Sequence, residues 1–454
     1  MIFVSCMNKW FGSSYAYDET QFLDMYKNQL EYYNPNDVQY VGAYVEIKTQ
    51  IDIIELKLKY EKDSWQRVAI TEIFSSEIYQ MNQEKYLNKN EEEYKKLEDK
   101  YLEKVKKLDE GDWRYFVQTQ LDETEKEINS QKELYGLTAD ILQKEEIQKT
   151  IKSIEINKQV LTWRLEKDIP FGNDYKNEAL GMYQYYQGQV ITYENQENLE
   201  HNEKIQYENA KSEAEIIKYD IENDKETGRT DSAIGALLGV FSSYDLFIII
   251  IAVMIAGSIL SDEFSKGTIK LLLVRPYSRT KVLLSKFVTV FIVLLISVII
   301  LVALQLVVGG ITYGFDSYNT EIVKYNFNTN SLQTISVVSS LALDFICRLP
   351  MYILLFTLSF ALGVLFTNSA LSITIGILGY IGGGVLIQIL PAINHWIVKV
   401  FPMMNWDFTQ YLFGKTPTVE GLSIPFSIAI CLVYFLIMIG TSFIIFRKKN
   451  IKNV

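Results

Sequence analysis

Cysteine and histidine are scarce in this 454-residue chain, which holds only Cys6, Cys347, Cys431, His201 and His395. Their wide separation leaves no disulfide framework and no thiolate or imidazole metal site. The sequence also lacks a GxxxxGK[ST] phosphate loop, a GxSxG elbow, an HExxH helix and a CxxC pair. Each would have carried a specific chemistry. No catalytic, cofactor-binding or metal-binding residue is therefore assigned, and enzymatic activity is not expected of the chain itself. Nor is there an excess of cations: 44 Lys and Arg stand against 55 Asp and Glu, for a net charge of −11. Neutralising phosphates needs a basic face, so a nucleic-acid partner is not expected.

What is present falls into two unlike halves. Residues 1–232 carry a net charge of −17 and read as polar; residues 233–454 carry +6 and are strongly apolar. A membrane span needs about 20 mostly apolar residues to cross a hydrocarbon core of about 30 Å. Five runs meet that length, at roughly 234–260, 287–309, 341–366, 370–390 and 425–446. Backbone groups in lipid must be bonded internally, so these runs are read as helices.

Orientation follows from the cations. The segment after the first run holds Lys266, Lys270, Arg275, Arg279, Lys281 and Lys286, and the tail holds Arg447, Lys448, Lys449 and Lys452. Four spans separate the two groups, so both can face the cytoplasm. Residues 1–232 would then lie outside the cell. The opening residues 2–6 read as the outer end of a first membrane helix that begins before Met1.

Within the polar half, Tyr94, Leu97, Tyr101, Val105 and Leu108 step at heptad-like spacing. Ile147, Ile151, Ile154, Leu161 and Leu165 do the same. That pattern predicts helices in a narrow bundle or coiled coil. Turns are expected at Gly111-Asp112 and Gly136, and a break over 169–174. A polar helical stretch at about 194–226 leads back toward the first span. Charge runs such as residues 91–96 read as a solvated face with i,i+4 pairs.

The most specific pattern lies between the first two spans. Asp262 and Glu263 mark the end of the first. Gly267-Thr268 breaks the helix, and the Thr268 hydroxyl can cap a short new one. Ile269 and Leu271–Leu273 give that short helix an apolar face along the membrane surface. Pro276 ends it, and Ser278 can cap the next helix. With Glu263, Gly267-Thr268-Ile269, Leu271-Leu272, Pro276, Ser278-Arg279 and Lys286 in this order, the segment resembles the first cytoplasmic loop of the ABC-2 type permeases. These are the membrane subunits of type-2 ABC exporters. The resemblance covers roughly 234–454. It implies that Glu263 through Lys286 form a coupling helix seated on a separate cytosolic ATP-binding subunit that holds ATP and magnesium. It also implies a second permease chain, and six spans with both ends cytoplasmic around a first outer loop that can be large.

Three further features are weighed. Asp344 and Arg348, spaced i,i+4 near the outer end of the third span, read as an intramembrane ion pair, structural in preference to a substrate contact. Pro350 fits a kink there. Gly376, Gly379 and residues 382–384 suit close helix packing or a dimer seam. The aromatic segment 391–424 is too broken for a span. It reads either as the re-entrant outer helices of the family or as an interfacial belt.

The expectation is an all-α integral membrane protein with five spans present and six expected in the family. A large extracytoplasmic helical or coiled-coil domain, 1–232, precedes an ABC-2 type transmembrane domain, 233–454, with its elbow at 261–286. The expected function is a permease subunit in a bacterial plasma membrane that couples ATP hydrolysis to export of an amphipathic or hydrophobic solute. The alternative is a non-transporting transmitter of signal or force acting through the outer coiled coil.

Overall fold

The computed structural model describes residues 19–194, 196, 198–227, 232–269, 277–319, 321–393 and 395–449. The first-helix remnant expected at 2–6 and residues 270–276 of the elbow lie outside them. The chain divides into two compact units. One runs to Thr192 and takes in 221–223; the other comprises 193–220 and 224 onward. The boundary thus falls near residue 193, where the sequence had suggested 232.

The first unit is all helix. It contains α1 (Glu19–Leu30), α2 (Val41–Lys57) and a helical run, α3, from Trp65 to Asn88 with π turns at Ile70–Phe74 and Gln83–Asn88. Then come α4 (Glu91–Asp109), α5 (Trp113–Leu137), α6 (Ile141–Glu166) and α7 (Tyr175–Glu194). Local chemistry sets their starts. Asn90, Asp112 and Asp140 each accept a hydrogen bond from a backbone N–H in the first turn of α4, α5 and α6. Three glutamates open α4 and two lysines close it, which suits the helix dipole.

The α5–α6 pair is antiparallel, laced by Lys158–Glu125 at 2.8 Å, Lys132–Glu155 at 3.1 Å and Arg114–Asp168 at 2.6 Å. The expected heptad seams face inward: Leu108, Ile151 and Leu161 are buried and their partners half-buried. Phe74, Phe116, Ile70 and Leu108 form the unit's core, with Trp65 and Phe171 packed beside them. One expected turn is displaced. Gly136 lies within the last turn of α5, and the reversal occurs at 138–140.

The second unit holds α8 (His201–Asn223) and five helices long and apolar enough to cross a membrane. These are α9 (Ala233–Ser265), α10 (Arg279–Tyr313), α11 (Val337–Phe366), α12 (Ser369–Ala392) and α13 (Ile424–Lys448). Between α10 and α11 an antiparallel hairpin pairs β1 (Ile322–Asn326) with β2 (Ser331–Ile335), in register Ile322 to Ile335. This hairpin is a small departure from the all-α expectation. Residues 390–414 form short helical turns (Trp396–Val400, Pro402–Asn405, Phe408–Gly414), as the broken pattern there suggested. The helix α8 belongs with this unit because buried Glu208 accepts from the Thr416 N–H at 2.7 Å and its hydroxyl at 2.6 Å.

The bundle is organised around α11, which packs on α9, α12 and α13 and continues through Pro350. Of its apolar window 56% is buried, against 6% for α13. α9 and α11 meet backbone to backbone. A Cβ on Gly363 would lie 2.8 Å from the Gly257 carbonyl oxygen. The Ser359 hydroxyl sits 3.0 Å from the carbonyl oxygens of both Val253 and Ser372, tying α9 and α12 to α11. Small residues at this spacing allow the close approach that membrane helices need. Gly376 and Gly383 play the same part against Val253 and Trp406, whereas Gly382 and Gly384 face open space.

These contacts give a paired prediction. Gly363→Ala should destabilise the bundle by about 1–3 kcal/mol through overpacking, measured by denaturant titration in detergent micelles. Gly384→Ala, with nothing near its added methyl, should leave stability unchanged.

Candidate functional site

An arginine among membrane helices must find counter-charges, because an isolated ion there is costly. Arg348 of α11 finds two. Its Nε donates to Asp344 at 2.9 Å, the i,i+4 partner expected from sequence. Its Nη1 donates to Asp245 of α9 at 2.6 Å. Asp245 also accepts from the Tyr352 hydroxyl. Both Asp245 and Tyr352 are buried. Sequence reasoning missed these two. The available signal was that Asp245 is the lone carboxylate inside the apolar stretch of α9.

Arg348 and Asp344 also line a cavity of about 360 Å3. Its other walls come from α8 (Ser212, Glu213), the start of α9 (Leu238, Ser242), the hairpin (Lys324, Tyr325) and the 408–415 segment. The hairpin is held in place by the Phe327 N–H, which donates to the Phe413 carbonyl at 2.8 Å. Burial pulls the Lys324 ammonium below the ordinary lysine range; Glu213 partly offsets this and Lys415 adds to it. A second cavity, of about 850 Å3, brings both histidines together with Lys399. There the His201 Nε2 lies 2.8 Å from the Pro417 carbonyl oxygen. Among the described residues no group of His, Cys, Asp and Glu could hold a metal ion.

The elbow residues converge at the opposite end of α9. Glu263 accepts from the Thr268 hydroxyl and from Lys286 Nζ, the latter at 3.3 Å. The Thr268 hydroxyl is therefore used as a donor to Glu263, where sequence had it capping a new helix. Gly267 makes the break with a φ of +71°, a conformation that favours glycine. Ile269 is fully buried in the bundle core, not laid along the membrane surface as expected, since the chain turns inward after Gly267.

Ser278 caps α10 by accepting from the Lys281 N–H at 3.3 Å, as expected. Arg279 donates to the carbonyls of Arg447 at 3.1 Å and Lys449 at 3.0 Å. Lys449 in turn reaches the Val364 carbonyl at 2.8 Å, at the end of α11, and lies over the Phe264 ring. The ends of α9, α10, α11 and α13 are thereby tied in one knot. Lys270, Leu271, Leu272, Leu273, Arg275 and Pro276, also expected in the elbow, lie outside the described residues.

Residues 210–452 match the sequence pattern of a family described as "Protein of unknown function (DUF2705)". That stretch takes in the cavity, the Arg348 cluster and the elbow knot. Two relatives from Bacillus subtilis (strain 168) are similar to this chain. An "Uncharacterized protein YhcI" is 30% identical over 201 residues, 44% of this chain and 64% of the relative. An "Uncharacterized membrane protein YdbK" is 26% identical over 223 residues, 49% of this chain and 85% of the relative. The match thus spans just under two thirds of YhcI's length. No solved structure matches the chain. With five apolar helices and a relative named a membrane protein, the chain is a multi-pass membrane protein.

The Arg348 cluster predicts an order of effects. Arg348→Met strands Asp245 in the bundle and should cost about 3–5 kcal/mol. Asp245→Asn leaves Arg348 with Asp344 and should cost less. Chemical unfolding of both variants in micelles checks the order.

Proposed function

The chain belongs to the DUF2705 family, and we propose that it is the permease subunit of an ATP-driven exporter of the ABC-2 type. In this reading a separate cytosolic subunit binds ATP with magnesium and docks on the elbow. A second permease chain completes the transporter. The cargo is an amphipathic or hydrophobic solute. The elbow and the C-terminal tail face the cytoplasm of a bacterial plasma membrane, and the helical unit faces outward, because the cations cluster on the elbow and tail.

One observation carries the reading. The ordered motif residues Glu263, Thr268, Ser278, Arg279 and Lys286 are not scattered along a loop but joined at the ends of four membrane helices. A push on that segment is delivered to α9 through the Glu263–Thr268 contact and to α10 through Lys286. It reaches α13 through Arg279 and, by way of Lys449, α11. A segment of this kind suits the transfer of a stroke from a soluble motor into a bundle. The exposed Lys266 side chain beside it is open to a docking partner.

Two experiments test this. Reconstituted with its cognate ATPase, the wild-type chain should show transport-linked hydrolysis. Glu263→Ala and Gly267→Pro should return hydrolysis to the rate of the ATPase alone, and intact coupling in both would remove the elbow from the mechanism. For topology, Lys266→Cys in a background with Cys6, Cys347 and Cys431 changed to serine should resist an impermeant thiol reagent on whole cells. Leu137→Cys in the helical unit should react. The reverse pattern would invert the orientation and end the proposal.

A further inference from the structure

The cavity of about 360 Å3 is within the size range of small-ligand sites, and its charges do not close on themselves. Arg348 is matched by Asp344 and Asp245, which leaves Lys324, Lys415 and Glu213 to face the space. Among the described residues, the side chains of Lys324 and Glu213 make no hydrogen bond or ion pair. Lys415 makes one contact, at 3.5 Å to the Asn209 side-chain oxygen. The unmatched set therefore carries one surplus positive charge. Burial already presses Lys324 toward its neutral form, as expected of an ammonium taken from water without a counter-ion.

The rest of the lining is apolar. Leu238, Leu341 and Leu343 stand beside the charged groups, and Leu343 continues onto the exposed apolar surface of α11 through Ile346. A monoanionic head on an apolar body fits such a site: the head meets the lysines, and the body leaves along the helix face.

We propose that this cavity binds the phosphate of a singly charged phosphodiester headgroup, as in an anionic phospholipid. Lys324 and Lys415 receive the phosphate oxygens, and Glu213 accepts from a headgroup hydroxyl. The shared chemistry with a free phosphate ion is the two-lysine contact; what the lipid adds is the apolar wall. The inference goes beyond the export reading and stands without it, since it requires neither an ATPase nor the elbow.

The test uses the delipidated full-length chain in detergent, titrated with dihexanoyl phosphatidylglycerol, dihexanoyl phosphatidylcholine and inorganic phosphate, and read by native mass spectrometry. Phosphatidylglycerol should bind saturably and more tightly than the other two. Lys324→Gln should weaken it roughly ten- to a hundredfold, the worth of a charge-assisted hydrogen bond, and Lys324→Arg should restore most of the loss. Lys415→Gln, at a more peripheral loop position, guards against a folding defect in the strand variant and should weaken binding in the same direction. Inorganic phosphate binding as tightly as the lipid, with the same Lys324 dependence, would overturn the lipid assignment in favour of the free ion. Unchanged lipid binding in both glutamine variants would overturn the site. Lost coupling in elbow variants would not touch either result, so the two proposals fail separately.

Discussion

A guanidinium placed among membrane helices fixes its surroundings, because no solvent is there to share its charge. Arg348 takes one carboxylate from its own helix and another from α9. The second contact sets the register of α9 against α11: a slip by one residue would carry Asp245 to another face of its helix. Tyr352, one turn further along α11, donates to the same carboxylate and holds it in place. Lower in the same pair, Gly257 and Gly363 let the two backbones touch. Neither contact would form without the other, since close approach brings the charges within reach and the charges select where the approach occurs.

The other end of the bundle is held differently. There the chain uses exposed or half-exposed polar groups against helix termini. Lys449 sits at the carboxyl end of α11, where free carbonyls and the helix dipole favour a cation. Arg279 bonds carbonyls at the end of α13. Such contacts stabilise modestly in water-facing positions. They can form and break at small cost, unlike the buried Arg348 cluster. One end of the bundle is thus held by buried ions and the other by accessible ones.

The sequence made the spans legible because hydropathy is a local property. It placed all five helices but set their limits short, notably at 287 for a helix that begins at Arg279. Arg279, Lys281 and Lys286 depress the local hydropathy, yet Ser278 caps the polar turn and the helix runs through it. Asp344 and Arg348 were visible as a pair because i,i+4 neighbours share a helix face. Asp245, 103 positions from Arg348, was not. No local pattern announces a partner on another helix. The hairpin at 322–335 went unread for a related reason: five-residue strands around a polar turn give little periodic signal. Thr268 and Ile269 were assigned to the right segment but the wrong surroundings. Whether a hydroxyl donates or accepts, and whether an isoleucine meets lipid or protein, depends on elements distant in the chain.

The uneven burial of the five helices divides the bundle into a keel and flanks. α9 and α11 are joined backbone to backbone at mid-depth and by ions near one end, so they can only travel as one body. α13, with little of its apolar surface covered by the rest of the chain, gives up few contacts when it tilts. Any opening of a path through this protein therefore has to come from the flanking helices swinging about a fixed spine, with the spine itself serving as the bearing.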